Sequence, residues 1–152
     1  MSNDDLDEWD IAHTRLRSIS SAEIKTFWNG YTARHGGERI VHGSLYSRWR
    51  PVSHDLVISL YLTNRSVGLF VRGARGEGWR ATLHRLSAHE PALGSALGAS
   101  LTAHKGCCYL SDHPLPMMDP ACWPRAYVWL EAREERYYQV LNELAIRGPV
   151  DE

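Results

Sequence analysis

The sequence predicts an α+β fold, with a mainly antiparallel sheet of about four strands and N-terminal, middle and C-terminal helices packed on it. The stretch from Asp55 to Arg72 contains two runs of alternating apolar residues joined by a short polar connection. This is the pattern of a β-hairpin with one apolar face. Apolar residues at helical spacing occur before and after the hairpin. The chain has 152 residues and no internal repeat, so a single domain is expected.

The first helix is predicted to begin near Ser20. Ser20 and Glu23 have the spacing of a capping box, in which the hydroxyl and the carboxylate each accept a hydrogen bond from the other residue's backbone amide. The apolar residues that follow recur at helical spacing as one stripe: Ile24, Phe27, Trp28 and Tyr31. Gly36 and Gly37 can adopt the left-handed conformation and are expected to end the helix.

Strands are expected next. The segment Arg39 to Arg50 has apolar residues without helical spacing, so we expect one or two short strands that stop at Pro51. One face of the hairpin that follows is entirely apolar and is predicted to lie in the core: Leu56, Ile58, Leu60, Leu62, Val67, Leu69 and Val71. The opposite face carries Tyr61, Phe70 and Arg72.

A glycine-rich segment separates the hairpin from two predicted helices. The loop from Gly73 to Gly78 is expected to be mobile. Helical pieces are predicted over 79–89 and 92–97, divided at Pro91. Ser87 and Glu90 have the spacing to cap the second piece, and Gly98 is expected to close it.

The C-terminal part is predicted to hold one more strand and a long helix. A buried strand is expected within 101–112, and the helix from about Trp123 to Leu144. The apolar stripe of this helix should face the core. Its charged residues are interpreted as a solvated face: Glu131, Arg133, Glu134, Glu135 and Arg136.

The predicted boundaries are an acidic N-terminal arm over 1–18, a single domain over 19–146 and a C-terminal tail over 147–152. Five acids and no lysine or arginine stand in the first ten residues, a composition that favours a solvated segment. No apolar run approaches the ~20 residues that span a bilayer. Because the N-terminus is acidic, it is unlike a signal peptide. We therefore expect a cytoplasmic protein with no membrane partner.

Four short motifs give the chain a resemblance to a known family. They are Phe27-Trp28, the Thr63-Asn64-Arg65 turn with Val67 to Val71, the stretch Leu83 to Leu97 with Gly98, and Trp123-Pro124 followed by Trp129-Leu130. By their order the chain resembles an uncharacterised prokaryotic domain family, whose members occur alone or at the C-terminal end of larger proteins, some with a restriction-endonuclease-like nuclease domain.

The resemblance spans residues 24–144. The chain departs from the family pattern where Pro91, Gly94 and Gly98 replace a usually charged helical segment, and it carries no attached nuclease. The resemblance implies a compact accessory module in restriction, phage defence or its evasion. It carries over no catalytic residue.

The residue types that zinc prefers occur together as His104, Cys107, Cys108, His113 and Cys122. Adjacent side chains of a strand point to opposite faces, so Cys107 and Cys108 favour buried thiols over a shared metal site. The glycine-rich loop lacks the residues of a phosphate-binding loop. Asp112 and His113 could form a catalytic pair but are interpreted as residues at a strand end. We expect no metal, no cofactor and no catalytic residue.

The strongest binding candidate is a set of basic and aromatic residues: Arg48, Trp49, Arg50, Tyr61, Arg65, Phe70, Arg72 and Arg75. Eight arginines and only two acids lie between Arg39 and Arg85. The first hypothesis is a non-enzymatic module that docks on a protein complex in phage defence or counter-defence, and the second is a nucleic-acid-binding accessory domain. An enzyme of unknown reaction is the third. A coding bias toward arginine, or a helix covering Tyr61 and Phe70, would also explain the pattern.

Overall fold

The computed structural model describes residues 19–34 and 39–147. Its elements are helix α1 (Ser21–Arg34), strands β1 (Val41–His42), β2 (Ser47–Ser53), β3 (Leu56–Leu62) and β4 (Ser66–Arg72), helices α2 (Trp79–Ser87) and α3 (Ala92–Leu97), strand β5 (Cys108–Pro114), a 3-10 turn (Pro120–Cys122) and helix α4 (Trp123–Arg147). The predicted α+β class is confirmed. The arm over 1–18, the stop at Gly36 and Gly37, and the tail beyond residue 147 lie outside the described residues.

The five strands form one antiparallel sheet in the order β1-β2-β3-β4-β5, so each strand pairs with the next along the chain. Helices α2 and α3 are inserted between β4 and β5. In the central hairpin Leu60 lies opposite Leu69, and Leu62 opposite Val67. All seven residues of the predicted apolar face are buried in the main core. This face is called the helix side, because α4 packs there against β2, β3 and β4.

Helix α1 has the predicted capping box. The Ser20 amide donates to Glu23 Oε1 at 3.0 Å, and the Glu23 amide donates to Ser20 Oγ at 3.1 Å. The stripe from Ile24 to Tyr31 is buried. Phe27 stacks on Tyr127 with ring centroids 4.8 Å apart, so α1 packs directly on α4. The local prediction and the long-range packing therefore agree on one orientation of the helix.

Three predicted details of the strands and helix ends are wrong. Strand β2 continues through Pro51 to Ser53, because a register shift between these residues spares the proline a ladder hydrogen bond. Strand β5 begins only at Cys108, after turns, and runs to Pro114. Ser87 and Glu90 do not cap α3, which begins after Pro91 without a side-chain cap.

Gly98 closes α3 as expected, with a φ of 69°.

The expectation of a solvated face on α4 is wrong at Glu134, which is 1% exposed. Arg50 Nη1 donates to Glu134 Oε2 at 2.8 Å, and the Tyr31 hydroxyl donates to Oε1 of the same carboxylate. A buried carboxylate is stable only with such partners. Glu134 therefore joins α4 to β2 and to α1. The four other charged residues of that predicted face are exposed or partly exposed.

Candidate arginine-tryptophan site

The structure divides the eight candidate binding residues between the two faces of the sheet and the hairpin turn. Arg48 and Arg50 lie on the helix side. The Arg48 guanidinium lies 5.6 Å from the ring centroid of Trp28 and donates to the carbonyl oxygens of Ser44 and Ser47 at 2.8 and 2.9 Å. Arg50 is 6% exposed and paired with Glu134. Both arginines therefore stabilise the fold through contacts on the helix side.

Arg65 stands alone among the candidates. It is exposed in the turn between β3 and β4. Arg72 ends β4, seven residues further along the chain. Because each residue of a β-strand advances the chain by about 3.3 Å, the Cα atoms of Arg65 and Arg72 are roughly 20 Å apart. Arg65 is therefore not part of a site with Arg72.

Tyr61 and Phe70 form a small second cluster with Cys107 on the face away from the helices, here called the second face. Their ring centroids are 6.2 Å apart, and they are 2% and 3% exposed. The Tyr61 hydroxyl donates to Asp112 Oδ1. These rings are core residues of the second face and are not exposed for binding.

Trp49, Arg72 and Arg75 come together on the second face, and we call them the Arg-Trp-Arg cluster. The guanidinium carbons of Arg72 and Arg75 each lie 4.4 Å from the ring centroid of Trp49. Cations at this distance are attracted by the negative charge of the ring face. Trp49 is 8% exposed, Arg72 is half-buried and Arg75 is exposed. The cluster is therefore a basic patch at the protein surface.

Sheet register places the tryptophan within reach of Arg72. Trp49 lies opposite Ser59, which lies opposite Phe70, while Arg72 lies opposite Val57. Directly opposed residues share a face of the sheet. Trp49 and Arg72 are therefore on the same face of the sheet, with β3 between their strands.

Glu77 fixes the loop that carries Arg75. Its carboxylate accepts hydrogen bonds from Thr82 Oγ1 at 2.7 Å and from Arg85 Nη2 at 2.7 Å, and its amide donates to Ala74 O at 3.0 Å. Gly76 has a φ of 98°, a conformation that favours glycine. The conformation of the glycine-rich loop is thus fixed by contacts of Glu77. This loop places Arg75 next to Trp49.

The two acids of the basic segment, which runs from Arg39 to Arg85, pair with a different arginine. Asp55 and Glu77 both bind Arg85, at 3.3 and 2.7 Å. The hydrogen bond from Arg85 holds the pKa of Glu77 below its usual range. Within 19–34 and 39–147, no carboxylate lies within salt-bridge distance of Arg72 or Arg75. Among the described residues, two like charges therefore lie on one tryptophan ring with no carboxylate bound to either.

The pKa of Arg72 reflects that arrangement. Burial lowers it first, and the neighbouring charge of Arg75 lowers it further. Both effects mean that the charged form of Arg72 is less well stabilised than in water. An anion bound to either guanidinium would offset part of this repulsion.

The cysteines and histidines do not converge. Cys107 belongs to the cluster of the second face, and Cys108 to the core on the helix side. Asp112 accepts from Tyr61 on the second face, whereas His113 stacks on Trp129 with ring centroids 5.2 Å apart. In the part of the chain that the structure describes, no three His, Cys, Asp or Glu side chains form a group that could hold a metal ion.

Comparison with known proteins found no match. No family model, no curated protein and no solved structure matches the chain. The resemblance to an uncharacterised prokaryotic family stays a prediction. Among the described helices, none is long and apolar enough to cross a membrane.

Proposed function

We propose that the protein is a non-enzymatic interaction module that docks on an anionic partner macromolecule through the Arg-Trp-Arg cluster. The observation that carries the proposal is the pair of guanidiniums on one tryptophan ring, with no carboxylate bound to either of them among the described residues. The eight-residue candidate set is thereby reduced to Trp49, Arg72 and Arg75. The proposal also includes a role in restriction or phage defence. That role rests on the sequence resemblance alone.

The contacts of the Arg-Trp-Arg cluster support a role in binding more than a role in packing the fold. Two of the packed arginines have carboxylates, as Arg50 has Glu134 and Arg85 has Glu77. Arg48 has backbone carbonyl oxygens in addition to an aromatic ring. Among the described residues, Arg75 packs on the tryptophan ring and binds no carboxylate. A guanidinium offers several donors in a fixed plane, which suits carboxylate and phosphate oxygens. The loop contacts of Glu77 hold this arginine in place before a partner arrives, which limits the entropy lost on binding.

The test is capture of partners from the native host with the full-length tagged protein and its variants. We expect the double variant Arg72→Glu and Arg75→Glu to lose a partner that the unchanged protein retains. The matched control is Arg125→Glu, an exposed arginine in the first turn of α4, on the opposite side of the sheet. The control should retain the partner, because it alters the net charge of the molecule without touching the cluster.

Folding of each variant is checked by thermal unfolding. Charge reversal at an exposed site usually changes stability by less than about 1 kcal/mol. If the double variant does not fold, Arg75→Glu alone serves as the second variant, because Arg75 is exposed. Equal capture of the same partner by the folded double variant and by the Arg125→Glu control would overturn the proposal.

A further inference from the structure

Resting on the proposed function, we infer that the anion bound by Arg72 and Arg75 is a pair of carboxylates on an acidic peptide segment of a partner protein. The inference concerns the chemistry of the ligand, for which a protein carboxylate and a nucleic-acid phosphate are the two candidates. Four features of the described residues favour the carboxylate.

The aromatic rings of the site are not accessible for base stacking. Proteins that bind single strands stack bases on exposed aromatic side chains. Here Tyr61 and Phe70 are buried, and the Trp49 ring is covered by the guanidiniums of Arg72 and Arg75. A nucleic-acid strand would therefore gain only phosphate contacts at this site.

The arginines do not form a track for a phosphate backbone. Of the eight arginines in the basic segment, Arg39, Arg50 and Arg85 have acidic partners, and Arg48 is directed to the helix side. Arg65 lies at the far end of β4 from Arg72, and Arg80 stacks on Trp79 in α2. Affinity for a phosphate backbone grows with the number of phosphates that arginines and lysines neutralise. A two-arginine patch suits a shorter ligand.

The net charge of the chain gives no long-range attraction for an extended polyanion, whereas a short acidic peptide needs only the local positive charge of the cluster. Acids and bases nearly balance, for a net charge of -1. Proteins that bind nucleic acid through its backbone usually present a strongly basic surface. The positive charge at the Arg-Trp-Arg cluster is local, and its reach is limited to about a Debye length, roughly 8 Å at physiological salt.

An apolar residue lies beside the charged pair. Val41 is opposite Trp49 in the β1-β2 pair, so its side chain is on the second face, and it is 42% exposed. An acidic peptide with apolar side chains next to its carboxylates could cover Val41 and the edge of Trp49 while its acids bind the two guanidiniums. Nucleic acid has no aliphatic side chain to place there.

The test is titration of isotope-labelled full-length protein by NMR, read at the indole N–H of Trp49, which the variant Trp49→Phe identifies. The probes are an acidic peptide of repeated Glu-Val-Glu-Gly units, the same peptide with Gln in place of Glu, and oligothymidylate. We expect saturable shifts with the Glu peptide only. In the variant Arg72→Gln with Arg75→Gln, affinity should fall about tenfold, as for the loss of two surface ion pairs.

The outcomes separate the inference from the proposed function. Saturable shifts with oligothymidylate, lost in the glutamine variant and steeply weakened by salt, would overturn the carboxylate assignment and leave the docking site in place. The absence of shifts with both the Glu peptide and oligothymidylate would also overturn it. Equal shifts with the Glu and Gln peptides would do the same. Partner capture that is unaffected by charge reversal at the cluster would instead remove the proposed function itself.

Discussion

Gly68 allows the second face of the sheet to pack closely. A Cβ atom at this position would lie 2.1 Å from Tyr61 Oη and 2.5 Å from the backbone oxygen of Ser111. The tyrosine crosses β4 at this glycine to reach Asp112 on β5. The backbone oxygen of Ser111 cannot move without the rest of its strand. A side chain at position 68 must therefore displace Tyr61. The packing of Tyr61 on the second face thus depends on a residue without a side chain.

We predict that Gly68→Ala destabilises the protein by about 1 to 3 kcal/mol, the usual cost of overpacking a core. Denaturant unfolding measures it. The matched control is Gly78→Ala, where an added Cβ meets no atom within 4 Å. Gly78 has an extended backbone at the N-cap of α2, where alanine is less favourable than glycine, so the control should cost less than about 1 kcal/mol. Equal stabilities of the two variants would show that Tyr61 does not lie across Gly68.

At the scale of the elements, one ion pair connects three parts of the chain. Arg50 is on β2, Glu134 on α4 and Tyr31 on α1, and all three polar groups meet at one buried carboxylate. The Arg50 guanidinium also lies 3.6 Å from the ring centroid of Tyr138. Breaking such a pair leaves an uncompensated charge in the interior, which is the main part of its energetic effect.

We predict that Glu134→Gln destabilises the fold by about 3 to 5 kcal/mol, because the buried Arg50 then keeps its charge with only the half-exposed carboxylate of Glu135 near it. Glu135→Gln is the matched control: this neighbour lies 3.6 Å from Arg50 Nη1, and its side chain is 51% exposed. The control should cost less than about 1 kcal/mol. Chemical denaturation of both variants provides the measurement, and similar losses for the two would contradict the assigned role of Glu134.

The elements could be predicted where the signal is local. The capping box of α1 and the alternation in β3 and β4 each lie within a few residues, and both are confirmed. The convergence of Trp49 with Arg72 could not be predicted, because it depends on the register of three strands. The burial of Glu134 could not be predicted either, since its partner Arg50 is 84 residues away.

At the scale of the whole molecule, the sheet separates the protein into two packing layers. The larger core lies on the helix side, and a smaller cluster lies on the second face. Cys107 and Cys108 are adjacent in the chain yet belong to different layers. Burial raises the pKa of the Cys108 thiol to about 11, and it also raises the pKa of Cys122. Zinc binds the thiolate form, so this environment opposes metal binding.

We predict that a chelator leaves the melting temperature unchanged and that the purified protein holds no stoichiometric zinc. A structural zinc ion would contribute directly to folding, so its removal would lower the melting temperature by many degrees. The measurement is thermal unfolding with and without chelator, together with elemental analysis. The variant Cys107→Ser with Cys108→Ala serves as a second test, because any metal content should be the same with and without these thiols. One zinc ion per chain, lost in that variant, would mean that the two layers are linked by a metal and that the cysteine assignment is wrong.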